Sequence, residues 1–291
     1  MSNAMASPAA ALGLKEILVT TDFSPAANAA VRFAAELAGK HNARLHLAHV
    51  VWMRPYDATP DVSSPTLCWM LRVGQEQLDA VDHSALLAGL AHQAHLLQGR
   101  PELVLPEFVA EEKIDLAVVG ASGRNGVGRL ILGSTSENIL RSLPCPVLTV
   151  GPNAWHTRHG SEFYSILAAC GLGDASERVA EYAGRLAQEY RAQLTLMHAI
   201  PPQHAGDTSR YEAAERRLGA LKPGGVCFWT PPEIRLDVGP PADCILTAAG
   251  ELKADLIVMG ARGSAGMTDH LSTLTHRIVC DAPCPVLTLR G

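Results

Sequence analysis

The run ILVTTDFSPAANAAVRFAAELAGKHNARLHLAHV, Ile17 to Val50, recurs without a gap as ILAACGLGDASERVAEYAGRLAQEYRAQLTLMHA, Ile166 to Ala199, with ten of the 34 positions identical. Two further blocks keep the same order. Pro101 to Gly123 lies over Pro241 to Gly263, and PCPVLT at Pro144 to Thr149 returns as Pro283 to Thr288. Three collinear matches define a duplication of domain size, and a repeat of that size governs how the fold is read. The offset between copies falls from 149 to 140 residues, so the first copy carries nine extra between His49 and Pro101. They fall around Trp52 to Met70, a Pro/Ser/Asp-rich stretch that reads as a loop.

Within each copy, short β-branched-rich apolar runs alternate with segments of helical period, which is the pattern of βαβ units and a parallel sheet. Strands are expected at about Glu16 to Thr20, Arg44 to Val50, Ala94 to Gln98, Leu116 to Gly120 and Val147 to Val150. The second set is expected at Ser165 to Ala169, Gln193 to Ala199, Glu233 to Val238, Leu256 to Met259 and Val286 to Leu289. Ser24-Pro25 supplies a helix cap and a proline at the first helical position, and Val31, Ala34, Ala35 and Ala38 form an apolar face. The expected fold class is α/β: two tandem, open, five-stranded parallel sheets in the order 3-2-1-4-5 with helices on both faces. The expected division is residues 1–14 as a tag and disordered terminus, 15–150 as the first domain, the polar, aperiodic stretch 151–163 as a linker, and 164–291 as the second domain. Ser2-Asn3-Ala4 ahead of Met5 reads as an expression-vector remnant.

Composition narrows the function classes. A chain of 291 residues holds about two domains. At 47% hydrophobic, 18% charged and mean hydropathy +0.09 it can build sizeable cores. The net charge of −5 and pI near 6.2 leave no basic excess for nucleic acid or an anionic membrane surface. No stretch reaches the roughly 18 to 20 apolar residues of a membrane span, so a cytoplasmic protein is expected. Seven cysteines with no CxxC argue against a disulfide framework and a structural zinc, and most are expected to be buried thiols. His92-x2-His95 and His156-x2-His159 have ligand-like spacing, but neither acquires a third donor at a motif distance, and no metal site is expected. His49 and His198 stand at equivalent places late in the second strand of each copy. A satisfied structural histidine is expected there, although His49 could touch a ligand.

Chemistry concentrates after the fourth strand of the first copy, in GASGRNGVGRLILGSTS, Gly120 to Ser136. Glycines let backbone amides approach an anion without a Cβ in the way, and a helix N-terminus adds unpaired N–H donors and partial positive charge. Ser134, Thr135 and Ser136 offer hydroxyls at that helix end, and Arg124 and Arg129 offer cations within loop reach. In the order 3-2-1-4-5 the loops after strands one and four flank the topological switch point, where open parallel sheets bind ligands. The loop after strand one, Thr20-Thr21-Asp22-Phe23-Ser24, puts a carboxylate there. Asp22 can accept hydrogen bonds from ribose hydroxyls or an adenine amino group, or it can simply cap the next helix.

The strand ending TTDFS, the G-x2-G-x9-G-S run and the closing PCPVLT strand together resemble the universal stress protein family, over nearly the whole chain as two tandem domains. The resemblance implies a stress-response protein that binds ATP or AMP as a regulatory ligand in the first domain, with any Mg2+ held through the phosphates. By it, Gly120, Gly123, Gly133 and Ser134 would cradle phosphates and ribose, Asp22 would reach the adenosine and Val50 would line the adenine pocket. The candidate set is then Thr20, Thr21, Asp22, Val50, Gly120, Ser122, Gly123, Arg124, Asn125, Arg129, Gly133, Ser134, Thr135 and Ser136. Family members commonly pair through the fifth strand, which implies that Val147 to Val150 and Val286 to Leu289 bring the two domains together.

The second copy departs from this pattern. Gly171 stands in place of Asp22, and Ser272-Thr273 in place of Gly133-Ser134. Weak or absent nucleotide binding is expected there, the alternative being a different anion site rebuilt from Arg262, Thr273 and Thr275. With no G-x4-G-K-[ST], no G-x-S-x-G and no acidic pair beside the glycine loop, fast hydrolysis is not expected. Slow ATP hydrolysis or autophosphorylation remains open. The S-G-G-x-D-S loop of adenylating synthetases is absent. The competing reading is an interaction scaffold without ligand, with a downstream protein partner that the sequence does not name.

Overall fold

The computed structural model describes residues 12–52, 63–121, 134–154, 160–173, 175–221, 228–261 and 272–290. The chain divides into two compact units at Trp155/His156, inside the stretch expected as a linker. Half one, Leu14–Trp155, holds β1 (Glu16–Thr20), α1 (Pro25–His41), β2 (Arg44–Val51), α2 (Ser63–Asp82), β3 (His92–Gln98), α3 (Pro101–Glu111), β4 (Leu116–Gly120), α4 (Ser134–Ser142) and β5 (Val147–Val150). Half two holds β6 (Ser165–Ala169), α5 (Ala175–Tyr190), β7 (Gln193–Ile200), α6 (Thr208–Ala220), β8 (Glu233–Val238), α7 (Pro241–Glu251), β9 (Leu256–Gly260), α8 (Thr273–Asp281) and β10 (Val286–Leu289).

In half one the strand order is β3-β2-β1-β4-β5, every pairing parallel. Half two repeats it as β8-β7-β6-β9-β10. Successive strand residues point to opposite faces, so the complete burial of Ile17, Leu18 and Val19 means that both faces of β1 are covered. Among the described residues, no helix is long and apolar enough to cross a membrane.

The expected strands form within two residues of their predicted limits. The loop expected at Trp52 to Met70 is corrected: α2 begins at Ser63, and residues 53–62 lie outside the described ones. Pro65 marks a helix start here, because the first-turn N–H that proline lacks has no intrahelical partner in any case. The linker reading is corrected in part. Pro152–Ala154 forms a 3-10 turn, and Phe163 is buried with its ring 4.7 Å from that of Tyr190. His92 opens β3 instead of preceding it. Leu12, within the expected disordered terminus, donates its backbone N–H to Glu189 Oε2 at 3.2 Å, in the unit of half two; residues 1–11 lie outside the described ones.

The duplication is written into the backbone. Among the described residues the non-glycine positions with left-handed backbone are Phe23 and Leu172, Asn42 and Arg191, and Lys113 and Lys253, three repeat-equivalent pairs. A shared carboxylate clamp holds the amino end of each first strand. Asp115 Oδ2 accepts the N–H groups of Lys15 and Glu16 at 2.8 and 3.0 Å, and Asp255 Oδ2 those of Tyr164 and Ser165 at 2.9 and 3.0 Å. Cys145, Cys170, Cys244, Cys280 and Cys284 are buried free thiols and Cys68 is exposed. Burial pushes the Cys145 and Cys170 thiols up to about 12, which keeps them protonated and unreactive.

Two features of half one set its internal packing. A Cβ on Gly120 would come 2.5 Å from the Ala26 carbonyl oxygen in the first turn of α1, so the close approach of α1 to the end of β4 requires glycine. His46 is fully buried in β2, with Nε2 2.9 Å from Glu16 Oε2 and Nδ1 3.1 Å from His95 Nε2. Both rings meet Phe108 of α3 edge-on. With Nε2–H of His46 donating to the carboxylate, its Nδ1 accepts from His95, and this directional chain satisfies a buried imidazole that would otherwise be costly.

Gly120→Ala is expected to destabilise half one by about 1 to 3 kcal/mol through overpacking against backbone. Gly250→Ala, at an exposed site in α7 where a Cβ meets nothing within 4 Å, should be neutral or stabilising, and denaturant midpoints of the two variants check both. Burial first, and then the electrostatic influence of His46, hold His95 below its ordinary 6.5. The unfolded chain therefore takes this proton first, so the stability associated with neutral His95 is complete above 6.5 and is lost as pH falls towards the lower folded value. Urea unfolding between about pH 7 and pH 5 should show a shallower loss in His95→Gln, which keeps a donor to His46 but does not titrate.

Candidate functional site

The carboxyl ends of β1 and β4 lie side by side, since these strands pair in register from Ile17–Leu116 to Val19–Val118. The points at which the chain leaves the two strands are therefore neighbours at the switch point. After β1 the chain turns sharply. The Thr21 N–H still donates to Ala48 O at 2.9 Å as the last rung beside β2, while Thr21 Oγ1 accepts the Phe23 N–H at 3.0 Å. Asp22 is exposed, and its Oδ1 accepts the Ser24 N–H at 3.0 Å. Phe23 takes the left-handed conformation with φ of 62°, a strained choice for an aromatic residue.

The helix cap is Ser24, whose Oγ accepts the Ala27 N–H at 3.2 Å, with Pro25 opening α1. Asp22 is thus not the cap of α1. Its carboxylate closes a small turn one step earlier and faces solvent at the strand end. Thr20 is half-buried and Thr21 buried. Val50, half-buried near the end of β2, alternates with His49 and so points to the opposite face of the sheet.

On the β4 side, Gly120 ends the strand and Ser134 starts α4. Ser122, Gly123, Arg124, Asn125, Arg129 and Gly133 lie outside the described residues. Thr135 is exposed at the helix start. Ser136 donates its hydroxyl hydrogen to the Gly120 carbonyl at 3.1 Å. A hydroxyl has one hydrogen, so in this arrangement Ser136 ties α4 to the end of β4 and has only its oxygen left to offer. Gly120 likewise has a packing duty, the contact with α1, beside any role towards a ligand.

Half two uses the same scaffold with different chemistry. Thr275, equivalent to Ser136, donates to the Ala261 carbonyl at 3.3 Å. Ser272, equivalent to Gly133, caps α8: its Oγ accepts the Thr275 N–H at 3.1 Å and lies 2.8 Å from Thr275 Oγ1. A donor that an anion would use at this helix end is already taken by the protein. Thr275 is fully buried and doubly engaged, so it is not free to rebuild an anion site with Thr273; Arg262 lies outside the described residues. A Cβ on Gly171 would meet nothing within 4 Å, so the missing carboxylate is a loss of chemistry and not a demand of packing.

The two late-strand histidines act alike. His49 Nδ1 donates to the Thr21 carbonyl and His198 Nδ1 to the Cys170 carbonyl, both at 2.8 Å. Sequence reasoning noted their equivalence and missed this backbone duty. The signal was available, because a histidine kept at one place in two otherwise diverged copies points to a task shared by both. Among the described residues, no group of three or more His, Cys, Asp or Glu side chains is placed to hold a metal ion.

This geometry has known relatives. The model of the universal stress protein family matches residues 13–151 and again 162–290. A universal stress protein of Mycolicibacterium smegmatis is 29% identical over 303 aligned residues, covering 94% of this chain and 96% of its own. One from Methanocaldococcus jannaschii is 33% identical over 138 residues, 47% of this chain and 81% of its own. The crystal structure of a universal stress protein from Archaeoglobus fulgidus shares the fold, with a TM-score of 0.72 at 20% identity over 94% of this chain and 98% of that one. With two successive family matches spanning both halves and one strand order repeated in each, the chain belongs to the universal stress protein family.

Proposed function

We propose that half one binds an adenine nucleotide, ATP or AMP, as a regulatory ligand, and that half two has lost this capacity. The observation that carries the reading is the contrast at the helix following the fourth strand. In half two the Ser272 hydroxyl occupies the end of α8 and satisfies the Thr275 N–H. The equivalent residue of half one is Gly133, whose lack of a side chain deprives α4 of that hydroxyl cap and favours an outside anion as partner for its first N–H groups. The positive end of the helix dipole favours phosphate there, and the glycine-rich sequence leading into α4 carries two arginines, Arg124 and Arg129.

The exposed Asp22 carboxylate supports the same assignment from across the switch point. It is an acceptor suited to ribose hydroxyls or an exocyclic amine, and its companion in half two, Gly171, accepts nothing through a side chain. Val50 offers apolar surface at the end of β2 for a base. The groups gathered at this point suit recognition: an anion at a helix end, hydrogen bonds to a sugar and contact with a ring.

Calorimetric titration of the full chain with ATP and Mg2+ tests the proposal, with one site per chain expected. Asp22→Ala should weaken binding by about 1.5 to 3 kcal/mol through loss of charge-assisted hydrogen bonds. Gly133→Val should abolish it by steric exclusion. Gly171→Ala and Ser272→Ala should leave affinity unchanged, while Ser272→Ala lowers the stability of half two by about 1 kcal/mol through loss of the cap. Two sites per chain, no binding, or equal losses from changes in either half would overturn the assignment.

A further inference from the structure

His49 touches the Asp22 turn on both sides of Asp22. On one side its Nδ1–H donates to the Thr21 carbonyl at 2.8 Å. On the other its ring lies against the Phe23 ring, with centroids 4.5 Å apart and the planes tilted by 46°. Phe23 is the residue held in the left-handed region, so the ring contact falls on the most strained residue of the turn. Behind the imidazole stands α2, where Gly74 makes room: a Cβ there would come 3.1 Å from His49 Cδ2 and 3.3 Å from Nε2. The imidazole is wedged between helix and turn, and its donor nitrogen faces the turn.

We propose that His49 is a positioning residue that fixes the Asp22 turn, and through it the affinity of half one for nucleotide. The second clause rests on the function proposed above; the first stands on geometry alone. Asp22 is exposed, and the internal hydrogen bonds of its turn are local ones to Thr21 and Ser24. Beyond them, the Thr21 N–H is held by Ala48 O at the base of the turn, and the Thr21 carbonyl on its far side needs a partner of its own. The bond from His49 ties it to β2 from a residue 28 positions away. Fixing the carboxylate before a ligand arrives removes ordering cost from binding.

Half two provides an internal control. His198 makes the same bond to Cys170, in front of the left-handed Leu172, yet the residue being positioned is Gly171, which presents no functional group. Breaking the brace in half two therefore damages an equivalent piece of structure without touching a ligand.

The test separates donor from bulk. In His49→Asn the amide nitrogen falls near the place of Nδ1, in His49→Gln near Nε2, and His49→Leu fills space with no donor. Two readouts are taken on the full chain: calorimetric affinity for ATP with Mg2+, and amide hydrogen exchange at Phe23 and Ser24, whose N–H groups the turn holds. Asn is expected to stay within about twofold of the parent in both, while Gln and Leu weaken affinity and speed exchange about five- to tenfold. His198→Leu should leave ATP affinity unchanged. The proposal is overturned if exchange at Phe23 and Ser24 is the same in all three His49 variants as in the parent, or if Asn suffers as much as Leu. It is overturned in its second clause if exchange follows the donor but affinity does not, or if His198→Leu weakens binding as much as His49→Leu. A parent that binds no ATP removes the nucleotide reading, and the exchange rates still decide the brace.

Discussion

The first turn of α1 lies against the carboxyl end of β4 because Gly120 has no side chain, with a gap that would not admit a methyl group. Much of half one depends on that contact. It brings α1 down onto β1 and β4, which fixes where the chain must leave β1 to reach the helix, and the short path left over is the Asp22 turn. The alanines along the buried side of α1, from Ala26 through Ala38, permit the same close seating along the rest of the helix. Small side chains here are a condition of geometry, and the exposed carboxylate is its by-product.

Two kinds of polar interaction then finish the half. Carboxylates clamp the amino ends of the strands through backbone N–H groups, as Asp115 does, and hydroxyls and imidazoles tie the carboxyl ends through backbone carbonyls, as Ser136 and His49 do. Each satisfies a backbone group that the sheet leaves unpaired at its ends, where an unpaired group would be expensive. The second half repeats all three with Asp255, Thr275 and His198. The scaffold is therefore common to both halves, and at the candidate site the contrasts that bear on ligand chemistry are Asp22 against Gly171 and Gly133 against Ser272.

The sheet order and strand limits were legible because the repeat doubled every signal and because parallel strands buried on both faces read as continuous apolar runs. Helix α2 was not, since Ser63, Ser64 and Pro65 carry loop composition and cap chemistry alike, and only the residues after them decide between the two. His46 was also opaque: a histidine inside an apolar strand gives no hint of Glu16 and His95, which come from two other strands. At the site, Asp22 against Gly171 and Gly133 against Ser272 could be read from aligned copies, whereas the capping of α8 by Ser272 could not. The recurrence of His49 as His198 signalled a shared duty but not its partner, because a bond to a backbone carbonyl leaves no mark on the partner's identity: Thr21 in one half is Cys170 in the other.

The left-handed residues carry this further. Phe23 became Leu172, Asn42 became Arg191 and Lys113 faces Lys253, yet all six keep φ near 50° to 60°. Arginine, leucine, lysine and phenylalanine have no intrinsic taste for that region, so their side chains did not choose it. What the duplication handed down is a path of the main chain, enforced by the neighbours at each bend. Such a path is a form of heredity more durable than the residues strung along it. It lets one copy shed its recognition chemistry while keeping its shape, and leaves a correctly folded frame on which selection can write a second purpose.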